Sequence, residues 1–130
     1  MTLKYHTRRD YMKIIGKNPI TGLDYPDPDV IRVDDTYYMV STTMHFVPGC
    51  EILRSYDLVH WEHLSYVYER LDSTEEQRLV GEKNCYGKGM WAASLRYHKG
   101  MYYICFVAND TGKTYLYTCL LYTSPSPRDR

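Results

Sequence analysis

The segment LDYPDPDVIRV places a carboxylate, Asp27, between two prolines and directly before an apolar run. Each proline fixes its own φ angle and restricts the residue before it, so Asp27 has little backbone freedom. Two interpretations follow. Because Asp and Pro are common in turns, the segment is a turn that leads into a strand. Alternatively, the two prolines hold a carboxylate in position for chemistry.

Tyrosine and cysteine are the other residue types that bear on chemistry. The 15 tyrosines suit half-buried strands, and they also suit a carbohydrate site, where a flat ring meets a sugar face and the hydroxyl bonds. The cysteines are widely and irregularly spaced, which does not suggest a zinc site. We expect them to be buried free thiols in a reducing compartment: Cys50, Cys85, Cys105 and Cys119.

Length and charge exclude several classes of protein. The 130 residues suggest one small domain or part of a larger one, and 44% hydrophobic residues can form a core. The formal net charge is zero, without a basic face for nucleic acid or a polybasic patch for a membrane. No apolar run approaches the length of a membrane span, and the start MTLKYHTRRDYMK lacks the apolar core of a secretory signal. We therefore expect a cytoplasmic protein.

Short strands joined by turns must position these residues. DVIRV and TYYMVSTT read as a hairpin with Asp34-Asp35 in its turn, followed by strands in CEILRSY and near 64–68. The polar stretch 69–89 reads as a long loop. MWAASLRYHKGMYYICFVAN then predicts a second hairpin, and YLYT a further strand. The pattern predicts an all-β fold.

The second hairpin resembles the first. VIRVDDTYYMV matches SLRYHKGMYYIC, with Arg32 at the place of Arg96, Tyr37 at the place of Tyr102, and a second turn that is one residue longer. A recurring antiparallel meander is typical of propeller blades, although any two amphipathic hairpins look alike. Because a repeat array needs several units, a chain with fewer than two either oligomerises or is incomplete.

The two ends fall outside this pattern. Residues 1–16 form a leader without clear periodicity, and residues 17–118 carry the predicted propeller part. The last stretch, CLLYTSPSPRDR at 119–130, resembles a translated adapter from a sequencing library, and we expect it to be non-native. A disordered Pro/Ser tail is the alternative.

Four stretches carry a resemblance to a known family. They are NPITGLDYPDPDVIRVDDTYYMVSTT, HFVPGCEILRSYDLVHWEH, GKGMWAASLRYHKGMYYICF and VANDTGKTYLYT, in this order. Over about 18–118 the chain resembles the N-terminal part of family 43 glycoside hydrolases, which include β-xylosidases and α-L-arabinofuranosidases. The resemblance implies an incomplete five-bladed β-propeller with only the first blade or two.

The resemblance also implies catalytic roles. Asp27 matches the family's general base, which deprotonates the hydrolytic water of an inverting glycosidase. A second family carboxylate raises the pKa of the acid. Ser94 occupies one of its two known places, and Asp110 is the only carboxylate near the other, with Asn109 as a competing match and a loop cap as the alternative role. The third carboxylate is a glutamate, the general acid, and no glutamate here matches its context. We therefore expect the acid to be missing and this chain to be inactive.

Three further residues match the family's sugar pocket. Trp91 follows Gly89-Met90 at the start of a strand in the pocket region, and a core tryptophan is the alternative. His45 and Phe46 match the loop beside the sugar subsite.

The resemblance thus implies a fragment of an inverting hydrolase of xylo- or arabino-oligosaccharides that needs no cofactor. Some members hold a structural calcium ion, but no residues here have ligand spacing that supports one, and no metal site is predicted. A non-catalytic carbohydrate-binding propeller or lectin is the alternative function, and an all-β protein-interaction module is a third. Neither nucleic acid nor membrane is an expected partner.

Overall fold

The computed structural model describes residues 16–72 and 74–121, and it confirms an all-β fold. Seven strands and no helix occur in these ranges, so the described part of the chain has no helix that could cross a membrane. Most of the predicted leader, 1–15, and the end of the predicted tail, 122–130, lie outside the described residues. The strands are β1 (Asp29–Val33), β2 (Thr36–Val40), β3 (Gly49–Ser55), β4 (Glu62–Tyr68), β5 (Met90–His98), β6 (Met101–Ala108) and β7 (Lys113–Cys119).

The first sheet is an antiparallel meander in the order β1-β2-β3-β4. Val33 pairs with Thr36, so Asp34-Asp35 forms a two-residue turn as predicted. Asp34 has a φ of 54°, in the left-handed region that Asp tolerates better than most residues. A four-stranded meander is the architecture of a propeller blade, and the incomplete propeller stays a prediction.

The second sheet has the order β5-β6-β7 and corrects the predicted match between the hairpins. His98 pairs with Met101, so this turn also has two residues, and the prediction of a longer second turn is wrong. The extra length lies in the strands, one residue on each side. Arg96 consequently faces Tyr103, just as Arg32 faces Tyr37. Side-chain similarity could not show this, because Tyr102 and Tyr103 are adjacent and alike.

The core lies between the two sheets. In β6 every second residue is buried, which places one face of the strand against the first sheet. The rings of Tyr38 and Tyr102 meet edge to face across the core, with centroids 5.1 Å apart. Other buried side chains of this cluster are Val40, Ile52, Leu95, Ile104 and Phe106. Each such side chain contributes about 1.5–3 kcal/mol by burial, and together they hold β1 beside β5.

The opposite face of the second sheet is open. Cys105, Leu116 and Val107 lie on it and are exposed, Leu116 by 68%. The expectation that all four cysteines are buried is thus wrong for Cys105, because it points away from the core. All four are free thiols, and Cys50 and Cys85 are buried.

Candidate functional site

Asp27 is exposed at a bend just before β1, with a φ of 50°. This is the left-handed region, which Asp tolerates better than most residues. The segment is therefore not extended at Asp27, and Asp27 and Asp29 do not share the alignment that two residues of one strand would have.

Hydrogen bonds on the preceding residue hold this bend. The Pro26 carbonyl accepts from the Ser41 hydroxyl at 2.6 Å and from the Thr42 N–H at 3.1 Å. The Thr42 hydroxyl in turn accepts from the Ala92 N–H at 2.9 Å. Thr42 thus connects the peptide before Asp27 with the residue after Trp91. The segment after β2 thus links the backbones next to two residues that lie 64 positions apart in the printed sequence (91 − 27).

The next residue along, Thr43, forms a two-bond bridge with Met90. The Thr43 N–H donates to the Met90 carbonyl at 3.2 Å, and the Met90 N–H donates to the Thr43 carbonyl at 3.1 Å. A Cβ on the neighbouring Gly89 would lie 2.5 Å from the Thr43 oxygen and 3.0 Å from the Met44 Cα. Only glycine allows the backbones to approach this closely.

Trp91 lies at the first residues of β5, and 40% of its surface is exposed. It is not part of the core between the two sheets, so the alternative of a core tryptophan does not describe this chain. The ladder between β5 and β6 is irregular between Trp91 and Ser94, and Ala92 has a φ of 45°. Such a bulge redirects side chains, and here it leaves the indole accessible.

His45 and Phe46 lie in the loop between β2 and β3. The Gly87 N–H donates to Nδ1 of His45 at 3.2 Å, and the His45 ring lies 4.3 Å from the ring of Tyr86. Phe46 is 59% exposed. Tyr86 was missed by sequence reasoning because it lies in the polar stretch 69–89. The only signal was an isolated Tyr-Gly pair in a charged loop.

After Tyr86, Asp29 is the second residue whose contacts were not predicted from the sequence. Its Oδ2 accepts from the Leu95 N–H at 2.8 Å, from Nη1 of Arg96 at 2.9 Å and, weakly, from the Ser94 hydroxyl at 3.4 Å. This carboxylate therefore ties β1 to β5. Ser94, which stands where the family places one aspartate, contacts Asp29.

Asp110 lies in the turn after β6 and binds a different part of the chain. Its Oδ2 accepts a short hydrogen bond from the amide of Gln77, whose other amide atom, Oε1, accepts from the Leu71 N–H at 3.1 Å. Gln77 is fully buried. Among the residues with described placement, nothing donates to the buried Oδ1 of Asp110. Burial and, second, the Asp110 carboxylate raise the pKa of the Cys85 thiol. Asp110 therefore holds Gln77 and, through it, Leu71, and its role as a pKa modulator stays a prediction.

The competing residue, Asn109, has a backbone role. Its N–H donates to the carbonyls of both Lys88 and Gly89 at 3.2 Å. The turn after β6 therefore supports the segment that carries Tyr86 and leads into Trp91.

Two adjoining cavities, of about 370 and 420 Å³, lie on the outer face of the first sheet. Both are lined by the 20–25 segment and Trp61. Burial and the nearby Glu51 carboxylate raise the pKa of Tyr25 to about 12. Glu51 also lies 2.8 Å from Nδ1 of His63. None of the predicted site residues lines either of these two cavities.

Within 16–72 and 74–121, no group of three His, Cys, Asp or Glu side chains could hold a metal ion. Whether the longer protein holds a structural calcium ion stays a prediction.

Comparisons with known proteins agree on one family of glycosyl hydrolases. The model of the glycosyl hydrolases family 43 matches residues 16–127. A beta-xylosidase of Formosa agariphila is 42% identical over 86 residues, which are 66% of this chain and 14% of that protein. A non-reducing end alpha-L-arabinofuranosidase of Bacteroides ovatus is 39% identical over 89 residues, which are 68% of this chain and 16% of that protein.

Among solved structures, a bifunctional GH43-CE protein of Bacteroides eggerthii superimposes with a TM-score of 0.76 at 47% identity. The superposition covers 84% of this chain and 14% of the other. The chain thus spans about one seventh of the length of these proteins.

Proposed function

Because the chain belongs to glycosyl hydrolases family 43, we propose that it carries the base side of an inverting hydrolase of xylo- or arabino-oligosaccharides. The observation that supports this most is the anchoring of the segment around Asp27. The carbonyl before this exposed carboxylate is fixed by hydrogen bonds from Ser41 and Thr42, and the Thr42 hydroxyl also accepts from the residue after Trp91. A carboxylate anchored beside the strand of a candidate sugar-binding tryptophan meets the requirement for a positioned base.

In this mechanism the Asp27 carboxylate accepts a proton from a water molecule. The water oxygen attacks the anomeric carbon while the bond from that carbon to the leaving oxygen breaks, which inverts the configuration. The leaving oxygen takes a proton from a general acid. Trp91, His45 and Phe46 would bind the sugar around this carbon. Rigid anchoring of Asp27 preserves the space for one water, on which the rate depends.

We propose that the general acid is a glutamate elsewhere in the longer enzyme. Three glutamates of this chain are engaged in other contacts. Glu62 pairs with Arg54 at 2.6 Å, Glu75 pairs with Lys83, and Glu51 contacts His63. Asp110 would modulate the acid. A cytoplasmic location and the absence of a cofactor also stay predictions.

The test uses nitrophenyl β-xyloside and nitrophenyl α-L-arabinofuranoside with this chain and with the full-length gene product. This chain should show no turnover above its Asp27→Ala variant. In the full-length enzyme, Asp27→Asn should lower kcat by about 10²- to 10⁴-fold, the usual contribution of a general base. NMR should show the inverted anomer as the first product. Turnover by this chain above the Asp27→Ala control would refute the missing acid, and a full-length Asp27→Asn enzyme of normal kcat would refute the base.

A carbohydrate-binding protein without hydrolysis is the second candidate, because the aromatic side chains of Phe46, Tyr86 and Trp91 are exposed. The Asp27→Asn variant distinguishes the two functions. If the protein is a lectin, Asp27→Asn should keep its sugar affinity, and the unmodified protein should show no turnover. If the protein is an enzyme, Asp27→Asn should lose hydrolysis.

A further inference from the structure

Tyr86 is the most exposed aromatic side chain among the residues whose positions are described, at 71%. One contact of its ring is with the His45 ring, 4.3 Å away at an interplanar angle of 33°. Because this ring is largely free in solvent, it is available to a ligand.

The backbone around Tyr86 is well anchored. The Tyr86 N–H donates to the Asn84 side chain at 3.0 Å, and the Gly87 N–H donates to His45. The N–H groups of Lys88 and Gly89 both donate to the Cys85 carbonyl, at 2.9 and 3.1 Å. An exposed aromatic ring on a backbone with this many hydrogen bonds is preorganised, so a ligand that stacks on it loses little binding energy to ordering.

We infer that Tyr86 binds a second sugar ring, next to the sugar that Trp91 and His45 contact. This inference rests on the proposed function. An apolar sugar face stacks on a flat ring, and the Tyr86 hydroxyl is a donor and acceptor for sugar hydroxyls. Since Nδ1 of His45 accepts from Gly87, the neutral imidazole carries its hydrogen on Nε2. Nε2 can therefore donate to the ligand, in addition to the Tyr86 hydroxyl.

The contact with His45 places Tyr86 at the edge of the first sugar site. Pro26 and Ala92 both form hydrogen bonds with Thr42, so the segments of Asp27 and Trp91 meet at this residue. His45 lies three residues farther along the same loop, beyond the bridge between Thr43 and Met90, and its ring contacts Tyr86. Tyr86 therefore favours an oligosaccharide over a monosaccharide.

Binding of sugars to the 130-residue chain tests this inference. Xylose, xylotriose, arabinose and α-1,5-arabinotriose are titrated and followed by NMR chemical shifts. We expect one trisaccharide to bind more tightly than its monosaccharide. The Tyr86→Ala variant should bind the trisaccharide about three- to tenfold more weakly, the value of one aromatic contact. Its affinity for the monosaccharide should be unchanged. Tyr86→Phe keeps the ring and should retain most of the affinity.

Tyr56→Ala, which removes a tyrosine that is 37% exposed after β3, is the matched control and should bind as the unmodified chain does. Tyr86→Leu tests the flat ring a second time if the alanine variant does not fold, as judged by circular dichroism, and should show the same loss. If Tyr86→Ala and Tyr86→Leu keep the trisaccharide affinity while Trp91→Ala loses it, the inference is wrong and the proposed function stands. If the unmodified chain binds none of the four sugars, the inference is wrong, whereas the proposed function is decided by the full-length Asp27→Asn enzyme.

Discussion

Replacing Asp29 by alanine removes the carboxylate that joins the two sheets at β1 and β5. The bond from the Leu95 N–H, 2.8 Å long, is charge-assisted and part-buried, and bonds of this kind contribute about 1.5–3 kcal/mol. The pair with Arg96 adds at most about 1 kcal/mol, because the arginine side chain is 67% exposed. We expect the Asp29→Ala variant to lose about 2–4 kcal/mol of unfolding free energy.

Two companion variants separate these contributions. Asp29→Asn keeps an oxygen that can accept from Leu95 but loses the charge, so it should cost less than Asp29→Ala. Arg96→Ala removes the exposed ion pair and the bond from Nη1 to the Leu95 carbonyl, 2.6 Å long, and should cost about 0.5–2 kcal/mol. The double variant should cost less than the sum of the two single variants, because Asp29 and Arg96 share one contact.

Urea denaturation followed by circular dichroism measures these differences at a common m value. Trp91 fluorescence, in a Trp61→Phe background, reports whether the start of β5 has moved. We expect a shifted emission maximum in Asp29→Ala and an unshifted one in Arg96→Ala. A loss below about 0.5 kcal/mol in Asp29→Ala, the usual size of a neutral surface substitution, would refute the inter-sheet role. So would an equally large loss in Arg96→Ala.

Three other substitutions test separate features. Gly89→Ala should lower the unfolding free energy by about 1–3 kcal/mol, because the new Cβ would lie 2.5 Å from the Thr43 carbonyl oxygen. Thermal denaturation measures this, and an unchanged Tm contradicts it. Leu116→Lys places a charge on the open face of the second sheet and should reduce self-association in sedimentation velocity, whereas unchanged association shows that this face is not involved. Burial alone would raise the pKa of Asp57, but hydrogen bonds from the His60 ring and from backbone N–H groups outweigh it and hold the pKa well below its usual value of 3.8. The folded pKa is thus depressed, so the stabilisation is present above about pH 4 and is lost as the pH falls toward the folded value. Asp57→Asn should be less stable at pH 7 and lose less stability between pH 4 and pH 2, and parallel pH profiles would contradict this.

Controls for these substitutions come from the same chain. Gly22→Ala introduces a Cβ with nothing within 4 Å and should leave the Tm unchanged. Thr114→Lys adds the same charge to an exposed residue of β7 and tests whether any lysine on this strand has the effect of Leu116→Lys. Asp24→Asn removes an exposed carboxylate and should not change the pH profile.

The strands and the first turn were predictable because their determinants are local. Alternating apolar residues predict a half-buried strand, and Asp34-Asp35 between two such runs predicts a tight turn. The register of the second hairpin was not predictable in the same way. Two adjacent tyrosines, Tyr102 and Tyr103, satisfy the pattern equally well, and the sequence match chose the wrong one.

The motif that suggests a fixed carboxylate at Asp27, and the family resemblance around it, were likewise present in the sequence alone. Only the tertiary structure decided which distant residues contact one another. Asp29 reaches Leu95 across 66 positions, His45 meets Gly87 across 42, and Gln77 meets Asp110 across 33. Local propensity and periodicity carry no information over such separations, because these contacts form only when the two sheets pack together.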